Sequence, residues 1–83
     1  MTHKNYTKDE NYMLAIYDAA QATGDPESPV NKYSAGKDAG LNPKAVDAIS
    51  KLLVQANFIK KSGELDVYLT PHGLKLVNNL RLQ

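Results

Sequence analysis

The chain has no cysteine. That excludes a disulfide framework and a thiolate metal site, fits a reducing compartment, and sets the cytoplasm as the expected location. Long apolar runs are missing as well, and none approaches the ~20 residues needed to span a bilayer. The first ten residues are polar and lack the apolar stretch of a signal peptide. A soluble protein with no membrane partner is therefore expected. There is no glycine-rich phosphate loop, and the two histidines, His3 and His72, are far apart with no second histidine at ligand spacing. No metal, cofactor or catalytic set is expected, so the chain does not read as an enzyme. His72 reads as a polar surface residue, and Asp25 and Glu27 as acids of a solvated turn. No internal repeat, linker or low-complexity segment interrupts the chain.

What remains suits one small folded unit, residues 1–83, with residues 1–6 expected to form a flexible N-terminus. The 83 residues are 42% hydrophobic and 23% charged, proportions of a globular rather than a disordered chain. A chain this short buries only about 60–65% of its unfolded surface, so its core must be compact and well patterned. The net charge of +1 hides an uneven distribution. Residues 31–61 hold six lysines against Asp38 and Asp47, whereas residues 1–30 hold two lysines against five acids. A basic middle third in an otherwise acidic or neutral molecule bears on partners rather than on fold.

The elements can be read from their punctuation. Thr7 and Glu10 have the spacing of a capping box, and Met13, Ile16, Tyr17 and Ala20 follow on one helical face up to a stop at Gly24. After the turn-rich Asp25–Pro29 loop, Pro29-Val30 suits a short extended piece. Asn31 can cap a second helix, residues 32–39, ended by Gly40 in a left-handed cap. Gly36 inside it suggests a close passage of another helix, since glycine there costs about 1 kcal/mol relative to alanine. Asn42-Pro43 is the sharpest start signal, cap then proline, for a third helix running to about Ala56. Its spacing turns Val46, Ile49, Leu53 and Ala56 to the core and Lys44, Asp47, Ala48, Lys51 and Gln55 to solvent. Asn57 tolerates the left-handed conformation that ends a helix. Residues 58–61 and 65–70 then read as a hairpin around Ser62-Gly63-Glu64, with Leu65, Val67 and Leu69 on the buried face. Thr70-Pro71 repeats the cap-then-proline start for a last helix bearing Leu74, Val77 and Leu80.

Two motifs in this order resemble the winged helix-turn-helix regulators of the MarR and PadR kind. Val46, Ile49 and Leu53, then Asn57-Phe58-Ile59 and Lys60-Lys61, are similar to that family's recognition helix running into its first wing strand. Val67-Tyr68-Leu69-Thr70-Pro71-His72-Gly73 is similar to its second wing strand and the helix start that follows. Asn57 stands where the family usually has glycine, and the exposed face of the third helix has no arginine. The resemblance covers roughly residues 12–80. It implies an α+β winged helix-turn-helix: a three-helix core, a two-stranded β wing with a short third strand, and a C-terminal helix. It further implies a transcriptional regulator that binds duplex DNA and pairs as a homodimer through terminal helices, where Leu76 and Leu82 are apolar.

On that reading Lys44, Ala48, Lys51 and Gln55 form a strip facing the groove. Lysine can contact phosphate or guanine, glutamine can read adenine, and a small apolar residue can touch a thymine methyl. Asn42 belongs to the same helix start. Asp47 on the same face repels phosphate, although a carboxylate can accept from cytosine. Lys60 and Lys61 can ride a phosphate backbone, and Lys32 can support from the start of the second helix, where backbone N–H groups also favour phosphate. Each feature has a plainer reading. Lysines make a solvated helix face by default, and lysines on an edge strand prevent strand addition. The five tyrosines are scattered and read as core or rim. A protein–protein interaction module is the competing function: the same fold without nucleic-acid contacts, docking a partner through the exposed face beside Leu52 and Val54.

Overall fold

Residues 6–82 are described by the computed structural model. They form α1 (Lys8–Gln21), β1 (Val30–Asn31), α2 (Lys32–Asp38), α3 (Pro43–Gln55), β2 (Ile59–Ser62), β3 (Asp66–Leu69) and α4 (Pro71–Leu82). The first four N–H groups of a helix have no partner inside it, and here the side chain of the preceding residue accepts from one or two of them at each helix. The Thr7 hydroxyl accepts from Glu10 N while Thr7 N donates to the Glu10 carboxylate, the reciprocal pair that starts α1. Asn31 accepts from Tyr33 N and Ser34 N at α2, and Asn42 from Ala45 N at α3, where Pro43 has no N–H to satisfy. Gly73 N donates to the Thr70 hydroxyl at α4. The expected flexible N-terminus lies outside the described residues, as does His3, except for Tyr6. Its hydroxyl donates to the Leu80 carbonyl at 3.3 Å.

Helices α2 and α3 end in the same way. Gly40 N donates to Lys37 O and Leu41 N to Gly36 O after α2, and Asn57 N donates to Val54 O and Phe58 N to Leu53 O after α3. This is the paired closure that follows a left-handed residue. Gly40 (φ 77°) and Asn57 (φ 64°) supply it. Each closure folds an apolar residue, Leu41 or Phe58, back against the core.

The three strands make one antiparallel sheet in the order β1-β3-β2. The buried cluster draws on every layer: Tyr12, Met13 and Ile16 of α1, Ala35 of α2, Val46, Ile49 and Leu53 of α3, Ile59, Val67 and Leu69 of the sheet, and Val77 of α4. Helix α1 packs on α2, α4 and β3, while α3 packs on α2 and β2. Two glycines permit the closest approaches. A Cβ on Gly36 would overlap Val46 Cγ2, so α2 and α3 meet there, the close passage expected at that glycine. A Cβ on Gly73 would overlap the Phe58 carbonyl oxygen, so the start of α4 lies directly against the chain leaving α3. Thr70 ties the same junction, its hydroxyl 2.6 Å from Asn57 O and its N–H donating to Phe58 O.

The small α+β architecture is as expected, with three departures. Ala56 is exposed because it caps α3 rather than continuing its buried face. Leu65 is 52% exposed: the turn falls at Gly63-Glu64-Leu65, one residue later than expected, so β3 begins at Asp66 and Leu65 leaves the alternating face. Its carbonyl instead accepts from Lys32 N at 2.8 Å. Phe58 precedes β2 rather than opening it, since its N–H is used to close α3.

Candidate nucleic-acid interface

Burial of Val46, Ile49 and Leu53 sets the rotation of α3, and its opposite side is then decided. Lys44, Asp47, Ala48, Lys51 and Gln55 are all exposed. Asn42, also exposed, holds the first turn through Ala45 N at 2.8 Å, so that Lys44 emerges from a capped helix start. The strip therefore exists as a surface. Of the flanking apolar residues, Leu52 is 57% exposed, whereas Val54 is half-buried against the core.

Asp47 is not an isolated acid on that surface. The Tyr33 hydroxyl donates to Asp47 Oδ1 at 2.7 Å, and Lys32 Nζ lies 3.5 Å from the same oxygen. Lys32 Nζ also sits 5.0 Å from the Tyr33 ring centroid, within cation–π range. The hydrogen bond from Tyr33, followed by Lys32, holds the Asp47 carboxyl below the usual carboxylate range. Behind the cluster, the Tyr12 hydroxyl donates to Lys32 O at 3.0 Å. Burial, then the neighbouring Tyr33 and Asp47, pushes the Tyr12 phenol well above its ordinary range, so it stays a donor. Lys32 is thus engaged by the protein itself.

The first-turn amides of α2 are engaged too. Lys32 N donates to Leu65 O, and Tyr33 N and Ser34 N donate to Asn31. The expectation that these N–H groups favour a phosphate loses its donors, because the short strand β1 brings Asn31 and the hairpin onto them.

Lys60 and Lys61 are both exposed on β2, a sheet edge, but they are not equivalent. Successive strand residues point to opposite faces. Lys61 shares the face of buried Ile59, on the side where α3 packs, whereas Lys60 lies opposite Tyr68 on the outer face. There it lines a shallow groove with Glu27, Asn57 and His72. His72 itself is exposed and stacks on Phe58, ring centroids 4.6 Å apart.

Tyr12 and Tyr33 are core and rim as expected, but their part in the Asp47 cluster was not legible in the sequence. Tyr33 lies fourteen positions before Asp47, and only the α2–α3 approach at Gly36 makes them neighbours. The one available signal was the tyrosine following Lys32 at a capped helix start. Among the described residues no group of three or more His, Cys, Asp or Glu is placed to hold a metal ion, and no helix is long and apolar enough to cross a membrane. Neither the models of known protein families nor the curated proteins give a match to this chain.

Proposed function

We propose that the chain is a winged helix-turn-helix domain of the MarR/PadR-like kind that binds duplex DNA as a regulator rather than as an enzyme, with α3 entering the major groove and the β2–β3 hairpin serving as the wing. The observation that carries this reading is the outward strip of α3. Lys44, Ala48, Lys51 and Gln55 are exposed together on a capped amphipathic helix, with Lys61 on the neighbouring strand. The element order and the antiparallel hairpin between α3 and α4 support the same reading. Of the three acids of α1, Glu10 is used in the capping box and Asp18 pairs with Arg81 of α4, while Asp9 is exposed in the first turn.

In this reading lysine–phosphate contacts provide most of the affinity, and Lys44, Lys51 and Gln55 provide what preference there is among sequences. Titration of random-sequence duplex at several salt concentrations tests it, because each neutralised phosphate adds about 0.9 to the slope of log affinity against log salt. Substituting Lys44, Lys51 or Gln55 should shift preference among sequences, and no measurable affinity at low salt would remove the proposal. The exposed Leu52 favours a second reading, an interaction module that docks a protein on the same face. Pairing of two copies through α4, where Leu82 is exposed and Leu76 half-buried, is part of the first proposal. Sedimentation showing a monomer at high micromolar concentration would remove that part alone.

A further inference from the structure

We propose that Lys32 and Tyr33 form a seat for a phosphate oxygen on the α2 flank of the α3 face, and that the protein's own Asp47 carboxylate occupies it as an internal competitor. The inference rests on the duplex-binding reading for the source of the phosphate, but the seat is defined by geometry alone. Two donors of different kinds, a hydroxyl at 2.7 Å and an ammonium at 3.5 Å, converge on the single oxygen Oδ1 of Asp47. Convergent donors of this sort suit an anionic oxygen as acceptor, and a phosphate presents several.

The seat is preorganised from behind. Lys32 is held by its N–H on Leu65 O and by the Tyr12 hydroxyl on its carbonyl, and its side chain is only 16% exposed. Tyr33 N is fixed by Asn31. The occupant differs from its holders. Asp47 is 56% exposed, so its side of the pair opens to solvent, and ion pairs so exposed are weak enough to exchange. Lys44 and Lys51 lie three residues before and four residues after Asp47 on the same helix face. A phosphate drawn by either lysine arrives beside the carboxylate that it must displace. The role of Asp47 is then not general repulsion. It neutralises one particular cation, Lys32, and weakens binding by the loss of one phosphate contact.

A double-mutant cycle on the full chain separates the two roles. With random-sequence duplex at several salt concentrations, Asp47→Asn should tighten binding several-fold and steepen the salt slope by about 0.9, one more phosphate. Asparagine keeps an acceptor for Tyr33, so the fold is retained. Lys32→Gln alone should change little, and in the Asp47→Asn background it should abolish the gain. Tyr33→Phe, which keeps the ring, should reduce that gain. An equal gain from Asp47→Asn with and without Lys32, as plain repulsion requires, overturns the proposal, and so does weaker binding by Asp47→Asn. If no variant binds duplex, the function proposed above fails by itself, and inorganic phosphate then reads the seat. Added phosphate should shift the NMR signals of Lys32 and Tyr33 in Asp47→Asn but not in the wild type. Absence of those shifts in Asp47→Asn, or equal shifts in both proteins, overturns the seat as well.

Discussion

Leu53 and Lys51 are two positions apart on α3, yet one is buried against strands and helices and the other stands in solvent. The inward side of the helix is over-determined: Val46 meets Gly36, Leu53 O closes the helix onto Phe58 N, and Val46, Ile49 and Leu53 belong to the main core cluster. On the outward side, nothing in the packing requires lysine at 44 and 51 or glutamine at 55. The difference separates what the fold demands from what a partner would demand. A residue type that packing leaves free is where function can be written.

The largest effects should come from the inward side. Leu53→Ala leaves a cavity and should cost about 2–5 kcal/mol. A domain of this length has about 4–12 kcal/mol of stability in total, so thermal or denaturant melting should find the variant partly or largely unfolded. Lys51→Ala, two residues away, should change stability by less than about 0.5 kcal/mol. Equal losses from the two would erase the contrast between the faces.

Gly73→Ala comes next, at about 1–3 kcal/mol, because the added methyl meets the Phe58 carbonyl rather than a side chain that can turn away. Its melting temperature should fall clearly, and an unchanged value would mean that α4 does not start against the chain leaving α3.

The smallest effect belongs to Asp47. Its folded carboxyl lies below the usual range, mainly through the Tyr33 hydrogen bond. A depressed folded value means that its contribution is fully present above the unfolded value, about 3.9, and is lost as pH falls through the lower folded one. On acidification below about pH 4, the wild type should therefore lose slightly more stability than Asp47→Asn. Denaturation at a series of pH values measures the difference, and parallel curves would show that Tyr33 and Lys32 do not grip the carboxylate.

The parts legible in the sequence were those written locally. Thr7 with Glu10, Asn31, Asn42 with Pro43, and Thr70 with Pro71 each mark a helix start within four residues, and each start lies where it was read. The outward strip of α3 was legible for the same reason, since helical spacing alone assigns its face. What depends on the meeting of distant segments was not. Leu65 alternates correctly with Val67 and Leu69, but the position of the turn, tied to Lys32 through the Leu65 carbonyl, removes it from the strand. Asp47 looked like a repulsive acid because its partners come from α2. Lys60 and Lys61 fall on opposite faces by strand alternation alone, but which of the two shares the side of α3 follows from the burial of Ile59.

The most direct test of the central claim is the salt dependence of duplex binding, measured on the wild type and on Lys61→Gln and Lys60→Gln. Four exposed lysines, Lys44, Lys51, Lys60 and Lys61, stand on α3 and β2, which sets an expected slope of about −3 to −4. Lys61→Gln, on the side where α3 packs, should flatten it by about 0.9, and Lys60→Gln, on the outer face, by less. A slope near zero, or no affinity at low salt, would contradict duplex binding by this face and leave the exposed Leu52 side as a surface for a protein partner.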